Sequence, residues 1–201
     1  MTETTGELGT GFSVEVAKAW EREFFLPDLP HTRRVALRTA IVLGHGGVLG
    51  PIRDLARRGL GGAQLDGWWP VTRRRRAAGT AHLPGARGGR QKFSWIHLDD
   101  VARIIDFCET HDDISGPVNA SAPHPVDNRT LMAEVRRTLG VRFGPPMPRW
   151  MLEVGTFAMR TETELVLKSR WVLPEKLMRH GFTFRFPELA PALREAFSEE
   201  C

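Results

Sequence analysis

The side chains of this chain best suited to chemistry fall in three places. Gly44, Gly47 and Gly50 form G-x-x-G-x-x-G between an apolar run and a stretch of helical character. Such a turn lets backbone N–H groups approach a phosphate, with a helix N-terminus beyond it. Arg38 sits inside the apolar run 34–43. A buried unpaired charge is costly, so Arg38 needs either a carboxylate partner or a substrate phosphate. His97, Asp99 and Asp100 form the third group. A histidine beside two carboxylates offers acid–base or metal chemistry. No further ligand joins them in sequence, and the seven histidines show no metal-ligand spacing. His97 is therefore read as hydrogen-bonded between a strand and the next helix, and Asp99 or Asp100 as that helix's cap.

The glycine turn is read as a loop leaving a sheet strand rather than as a cofactor site. A dinucleotide fingerprint is followed by a second apolar strand that ends in an acidic residue about 20 positions on. Here residues 61–69 follow, with Asp66 in a loop, and a helix precedes the motif.

The elements that must position these residues follow from periodicity. Residues 12–25 have helical spacing, with Ser13 as a candidate cap and Pro27 and Pro30 beyond the end. Residues 34–43 are nearly continuously apolar, as in a strand buried within a parallel sheet. Residues 51–60 form a helix with Pro51 in its first turn. Residues 93–98 read as a strand, followed by a helix to about residue 109. Residues 117–120 read as a strand, and 128–139 as a helix stopped by Gly140. Asn119 and Pro123 are assigned to turn chemistry. Helices are expected at 148–159, 163–169, 174–180 and 187–197, with 182–186 extended. Strands alternating with helices indicate an α/β class with three or four short strands.

Composition narrows the function classes. Of the residues, 41% are hydrophobic and 26% charged, which fits a packed core rather than disorder. No apolar run reaches the roughly 20 residues of a membrane helix. Residues 1–11 have no basic start and no apolar stretch, so nothing there reads as a secretory leader. The two cysteines, Cys108 and Cys201, fit neither a disulfide framework nor a thiolate metal site, and a cytoplasmic setting is expected. The net charge of +4 is concentrated in the run Arg73–Arg76, beside Trp68 and Trp69. This segment reads as a solvated loop rather than a nucleic-acid surface.

Several ordered segments carry a resemblance. Phe93-Ser94-Trp95-Ile96-His97-Leu98-Asp99-Asp100-Val101 resembles the F-x-W-I-H-x-D-D-V segment of extended short-chain dehydrogenase/reductase-like proteins. Before it, Gly11-Phe12-Ser13-Val14-Glu15-Val16 with Ala19-Trp20-Glu21 is similar to the helix after that family's active-site strand. Leu37-Arg38-Thr39-Ala40-Ile41-Val42-Leu43 is similar to its R-T-x-x-V-L strand, and Gly59-Leu60-Gly61-Gly62 to its G-L-G-G loop. After it, Gly116 to Pro123 is similar to its G-x-x-N-x-x-x-P turn, and Arg170 to Leu177 with Gly181 to Phe184 to its C-terminal domain. The resemblance runs through the chain from about Gly11. It is nearest to NAD-dependent epimerase/dehydratase-type proteins that end in a C-terminal domain of unknown function.

The resemblance implies an α/β fold: the C-terminal part of a Rossmann-like extended short-chain dehydrogenase/reductase domain plus a small, mainly helical C-terminal domain. The expected division is 1–122, carrying an insertion at 65–87, and 123–201. It implies NAD(P) as the cofactor of the full-length family, and a nucleotide-sugar-like small molecule as substrate. In such relatives an arginine near the W-I-H strand contacts the diphosphate. Phe93 stands closest to that position, so Arg90 or Gln91 is expected to substitute, with Arg38 and Trp95 as further candidates. The family's acid–base pair is Tyr-x-x-x-Lys, and this chain contains no tyrosine. The reading is therefore an N-terminally truncated epimerase-like chain, inactive alone, with an open sheet edge prone to self-association. The alternative is a non-enzymatic binding module that uses the basic, Trp-containing insertion.

Overall fold

The structure, a computed structural model, describes residues 1–5, 12–67, 70, 73, 77, 87–151 and 171–198. The expectations for Trp68, Trp69, Arg74 to Arg76 and the helix at 163–169 lie outside these residues, as does most of 148–159.

Helix α1 spans Phe12–Phe25 and ends before Pro27. Ser13 is its second residue, so the helix starts earlier than a Ser13 cap would require. The apolar run that follows is not one strand. It is β1 (Val35–Thr39) and β2 (Ile41–Leu43), broken at Ala40. The break has a long-range cause. Ala40 N–H donates to Ala120 C=O (2.9 Å), whereas Ile41 N–H donates to Ser94 C=O (3.3 Å). The chain exchanges one partner for another at this point. β1 pairs in parallel with β5 (Gly116–Ala120), and β2 in parallel with β4 (Trp95–His97). Ala122 N–H then donates to Trp95 C=O (2.7 Å), which wedges β4 between β2 and the chain leaving β5.

The expected strand at 93–98 is likewise divided. β3 (Lys92–Phe93) and β4 are separated by Ser94, because β3 pairs antiparallel with β6 (Val126–Asp127), a strand too short for periodicity to reveal. Asn119 lies within β5 rather than in a turn, and its amide donates to Leu173 C=O (3.1 Å).

Both faces of β1 are covered, as strand alternation requires. Val35 and Leu37 pack with Ile104 and Cys108 of α3 (Leu98–Thr110). Arg38 points the other way, to Glu21 on α1. Arg33 caps the α3 C-terminus, donating to the carbonyls of Cys108, Glu109 and Ile114. That helix has no basic residue of its own in its last turn. Helix α2 (Leu49–Leu55) starts two residues before Pro51 and ends in a wider π turn, Ala56–Leu60. Helix α4 (Asn128–Thr138) is capped by Asp127, whose carboxylate accepts from Thr130 N–H (2.8 Å). Helices α5 (Glu175–Arg179) and α6 (Leu189–Ser198) follow. One core joins Leu43, Trp95 and Leu131 to Leu189 and Leu193, so residues on both sides of 122 pack together.

The cap of α3 corrects the expectation. It is His97, not Asp99 or Asp100: Nδ1 accepts from Asp99 N–H (3.2 Å). With Nδ1 accepting, Nε2 carries the proton and donates to Glu195 of α6 (2.7 Å). Asp100 is fully buried and holds the C-terminal segment. Its carboxylate accepts from Arg185 N–H (2.8 Å) and Phe186 N–H (2.9 Å), and pairs with Arg103 (2.9 Å). Asp99 pairs with Arg185 at 2.7 Å.

Removing the Asp100 carboxylate would strand two peptide donors, one of them fully enclosed. Asp100→Ala is predicted to lower unfolding free energy by about 3 kcal/mol. Urea titration checks this, with an unchanged slope and a lower midpoint. A loss below about 1 kcal/mol would contradict the anchor role.

Candidate functional site

In parallel α/β sheets ligands lie outside the carboxyl ends of the strands. Here those ends carry polar side chains, and most are already engaged. Ser94 Oγ accepts from Val172 N–H (2.8 Å), and Ser121 Oγ donates to Val172 C=O (3.0 Å). Asn119 holds Leu173, and its backbone N–H donates to the Glu3 carboxylate (2.9 Å). The Met1 ammonium donates to Trp171 C=O (2.8 Å). These groups fix the entry into the C-terminal segment.

The glycine turn engages two of its own amides. Gly46 and Gly47 have φ of +70° and +52°, so only glycine is comfortable there. The N–H groups of Leu49 and Gly50 both donate to Gly46 C=O (3.2 Å each). Gly44 faces Leu98, whose Cβ lies 3.1 Å from where a Cβ on Gly44 would stand. The turn packs against α3 through Gly44, and the Leu49 and Gly50 amides are taken up by Gly46 C=O.

The expected contact residues are not brought together. Arg38 forms a two-pronged ion pair with Glu21, Nε to Oε2 at 2.8 Å and Nη2 to Oε1 at 2.5 Å. The Arg38 hydrogen bond holds the Glu21 carboxyl below its ordinary value of 4.5, against a smaller opposing effect of burial. The same contact raises Arg38 further above its usual range. Trp95 is fully enclosed, and its indole N–H donates to His124 C=O (3.2 Å). Arg90 is exposed.

Gln91 differs from all of these. It is 2% exposed, and its Nε2 donates to Gln64 C=O (2.8 Å). Asn128 completes an amide cluster: its Oδ1 accepts from Gln64 N–H (2.8 Å) and its Nδ2 donates to Gln64 Oε1 (3.0 Å). Gln91 C=O accepts from Asn128 N–H (2.9 Å). Among the described residues, Gln91 Oε1 is the one buried side-chain N or O atom without a hydrogen-bond partner. Leaving a buried acceptor unmade costs about 1–3 kcal/mol. The cluster is framed by the G-L-G-G loop. A Cβ on Gly62 would lie 1.7 Å from Pro145 C=O, so only glycine lets the two segments meet there. Met147 and the 63–65 segment exchange backbone hydrogen bonds, and the Asp66–Arg149 ion pair (3.1 Å) is buried beside them in sequence. Amides donate and accept but do not titrate near neutrality. This cluster therefore cannot move a proton. No group of three or more metal-ligating side chains occurs among the described residues.

Gln64, Asn128, Ser94, Ser121 and Glu195 escaped the sequence reading. Gln64 follows two glycines and Asn128 opens a helix, so both resemble ordinary loop and cap residues.

The chain is similar to known proteins over nearly its whole length. A family model described as Domain of unknown function (DUF1731) matches residues 147–196. Epimerase family protein SDR39U1 of Homo sapiens is 31% identical over 185 residues, covering 92% of this chain and 54% of that protein. Epimerase family protein YfhF of Bacillus subtilis is 28% identical over 198 residues, covering 98% and 57%. The crystal structure of human SDR39U1 (isoform 2) with NADPH superposes with a TM-score of 0.77 at 27% identity, covering 98% of this chain and 58% of that one. This chain belongs to the epimerase family. Its fold is the Rossmann-like α/β fold of that family, with the C-terminal domain of unknown function. A nucleoside-diphosphate sugar epimerase from Corynebacterium glutamicum shares the fold at a TM-score of 0.66 and 24% identity, over 99% of this chain and 33% of that one. The chain spans just over half the length of the curated relatives it matches.

The Arg38–Glu21 pair makes a pH-dependent prediction. A carboxyl with a lowered folded pKa stabilises above its unfolded pKa, and the contribution fades as pH falls through the folded value. Glu21→Gln should cost about 1 kcal/mol at pH 7. The gap to wild type should close below pH ~4, as the wild-type carboxyl protonates. Thermal melts across pH 3–7 check this; a gap independent of pH would contradict it.

Proposed function

We propose that this chain supplies the substrate-side part of a NAD(P)-dependent, epimerase-like oxidoreductase, and that it performs no turnover by itself. The observation that carries this reading is the superposition of 98% of the chain on an epimerase-family relative crystallised with NADPH. The substrate is a nucleotide-sugar-like polyhydroxylated molecule, and Gln91 Oε1, enclosed and without a partner in this structure, accepts a hydrogen bond from one of its donors once the amide cluster opens. A nicotinamide cofactor, when bound in such proteins, supplies the hydride chemistry, and the protein orients the substrate. The residues described here bind and orient. The sequence has no tyrosine to hold the proton that the family's Tyr-x-x-x-Lys pair would move. NAD(P) is assigned elsewhere than the turn at Gly44, Gly47 and Gly50, where the Leu49 and Gly50 amides are engaged by Gly46 C=O.

Two assays test this. Purified chain mixed with NAD(H) or NADP(H) and a panel of nucleoside-diphosphate sugars should give no interconversion by NMR; product formation above the no-protein control would overturn the inactivity. Isothermal titration with the same panel should show binding, and Gln91→Met should weaken it about tenfold, the worth of one hydrogen bond. The variant should keep wild-type stability within about 1 kcal/mol, because deleting the orphan acceptor offsets the lost bond to Gln64. Equal affinity for both proteins would remove Gln91 from the site.

A further inference from the structure

We infer that the arginine surface around Gly61, built from Arg57, Arg58, Arg136 and Arg142 with the ring of Phe143, docks an acidic segment of another protein that carries an apolar anchor. The inference does not rest on the proposed substrate.

Three parts of the chain meet at Gly61. Helix α2 runs on into the π turn Ala56–Leu60, which carries Arg57 and Arg58. Helix α4 brings Arg136 and Arg137 in its last turn, and Arg136 Nη1 donates to Gly61 C=O (2.5 Å). Beyond the left-handed Gly140 the chain turns back, with Val141 N–H donating to Arg136 C=O (2.9 Å). A Cβ on Gly144 would lie 2.6 Å from Arg136 Cδ and 3.0 Å from the Gly61 carbonyl. The connection that holds Arg142 and Phe143 is therefore seated against both.

The charges here do not balance. Residues 49–62 and 134–144 hold six arginines, no lysine and two carboxylates, Asp54 and Glu134. Both carboxylates are taken, Asp54 by Arg53 (3.3 Å) and Glu134 by Arg137. Arg57, Arg58, Arg136 and Arg142 are left without a carboxylate partner among the described residues. Capping of α4 does not account for them. Its last carbonyls accept from backbone: Val135 C=O from Leu139 N–H (3.1 Å), Arg136 C=O from Val141 N–H, and Arg137 C=O from Gly140 N–H (3.2 Å). Arg57, Arg58 and Arg142 are exposed, and Phe143 is 73% exposed.

Like charges held together repel one another, and an anionic partner relieves that repulsion. A guanidinium takes a carboxylate with two parallel hydrogen bonds, and arginine beside an exposed aromatic ring is the composition that dominates protein interfaces. A single-stranded nucleic acid is held by successive rings on which its bases stack. Phe143 is the sole aromatic residue of these two segments, which favours a protein partner.

The probe is a fluorescein-labelled synthetic peptide of Glu-Glu-Leu repeats, titrated into the purified chain and followed by anisotropy. Saturable binding is expected in low salt, weakening about tenfold between roughly 50 and 300 mM NaCl as the exposed charges are screened. Arg58→Gln and Arg142→Gln should each weaken it about threefold, the effect of one exposed charge contact. Phe143→Ser should weaken it about tenfold, as loss of an aromatic anchor does. All three side chains are exposed, so thermal melts of the variants should match wild type. A peptide of Ser-Ser-Leu repeats should not bind. Absence of binding by the Glu-Glu-Leu peptide in low salt overturns the proposal, and so does an affinity that the three substitutions leave unchanged. Tighter binding of a labelled oligothymidine than of the peptide also overturns it and assigns the surface to nucleic acid.

Discussion

The arrangement depends on one change of partner. At Ala40 a single extended segment leaves β5 and takes β4, and the wedge this creates sets the position of everything after it. β4 is held between β2 and residue 122, so its end delivers His97 and Asp100 to one place. There the buried Asp100 carboxylate gathers the backbone of residues 185 and 186, and the His97 imidazole reaches Glu195. A carboxylate without water is tolerated only when its oxygens are saturated by donors. The C-terminal segment therefore has to dock in one register. The His97–Asp100 segment is a fastening between the sheet and the C-terminal segment.

The same economy explains which polar groups remain for a ligand. Ser94, Asn119 and Ser121 are consumed by the backbone of residues 172 and 173, and Arg38 by Glu21. Buried polar atoms are almost always paired. Against that background the unpartnered oxygen of Gln91 stands out, because its own amide nitrogen and its neighbours Gln64 and Asn128 are all satisfied.

Much of the fold was legible in the sequence where the signal was local. Helical periodicity placed α1 at its observed bounds and α4 within a residue, and Gly140 and Gly181 both adopt the left-handed conformation beyond a helix end. The α/β class followed from alternating elements. What was not legible depended on distant partners. The break at Ala40 leaves no mark in an apolar run, because hydropathy reports burial and not which strand lies alongside. Ser94 looks like a strand residue until β6 takes the other half of the pairing. His97 as a helix cap was hidden because aspartates, the usual caps, follow it immediately. For the site, the sequence offered Gln91 among four candidates but nothing to separate it from Trp95, whose enclosure is a property of the assembled core.

The most direct test of the account is an NMR titration of the ¹⁵N-labelled chain with nucleoside-diphosphate sugars, read at side-chain amides. The account predicts shifts of the Gln91 side-chain NH₂ pair, with Gln64 and Asn128 following, and no change at the backbone amides of Gly46 to Gly50. Shifts confined to those glycine-turn amides, with Gln91 unmoved, would contradict it and return the ligand to the turn.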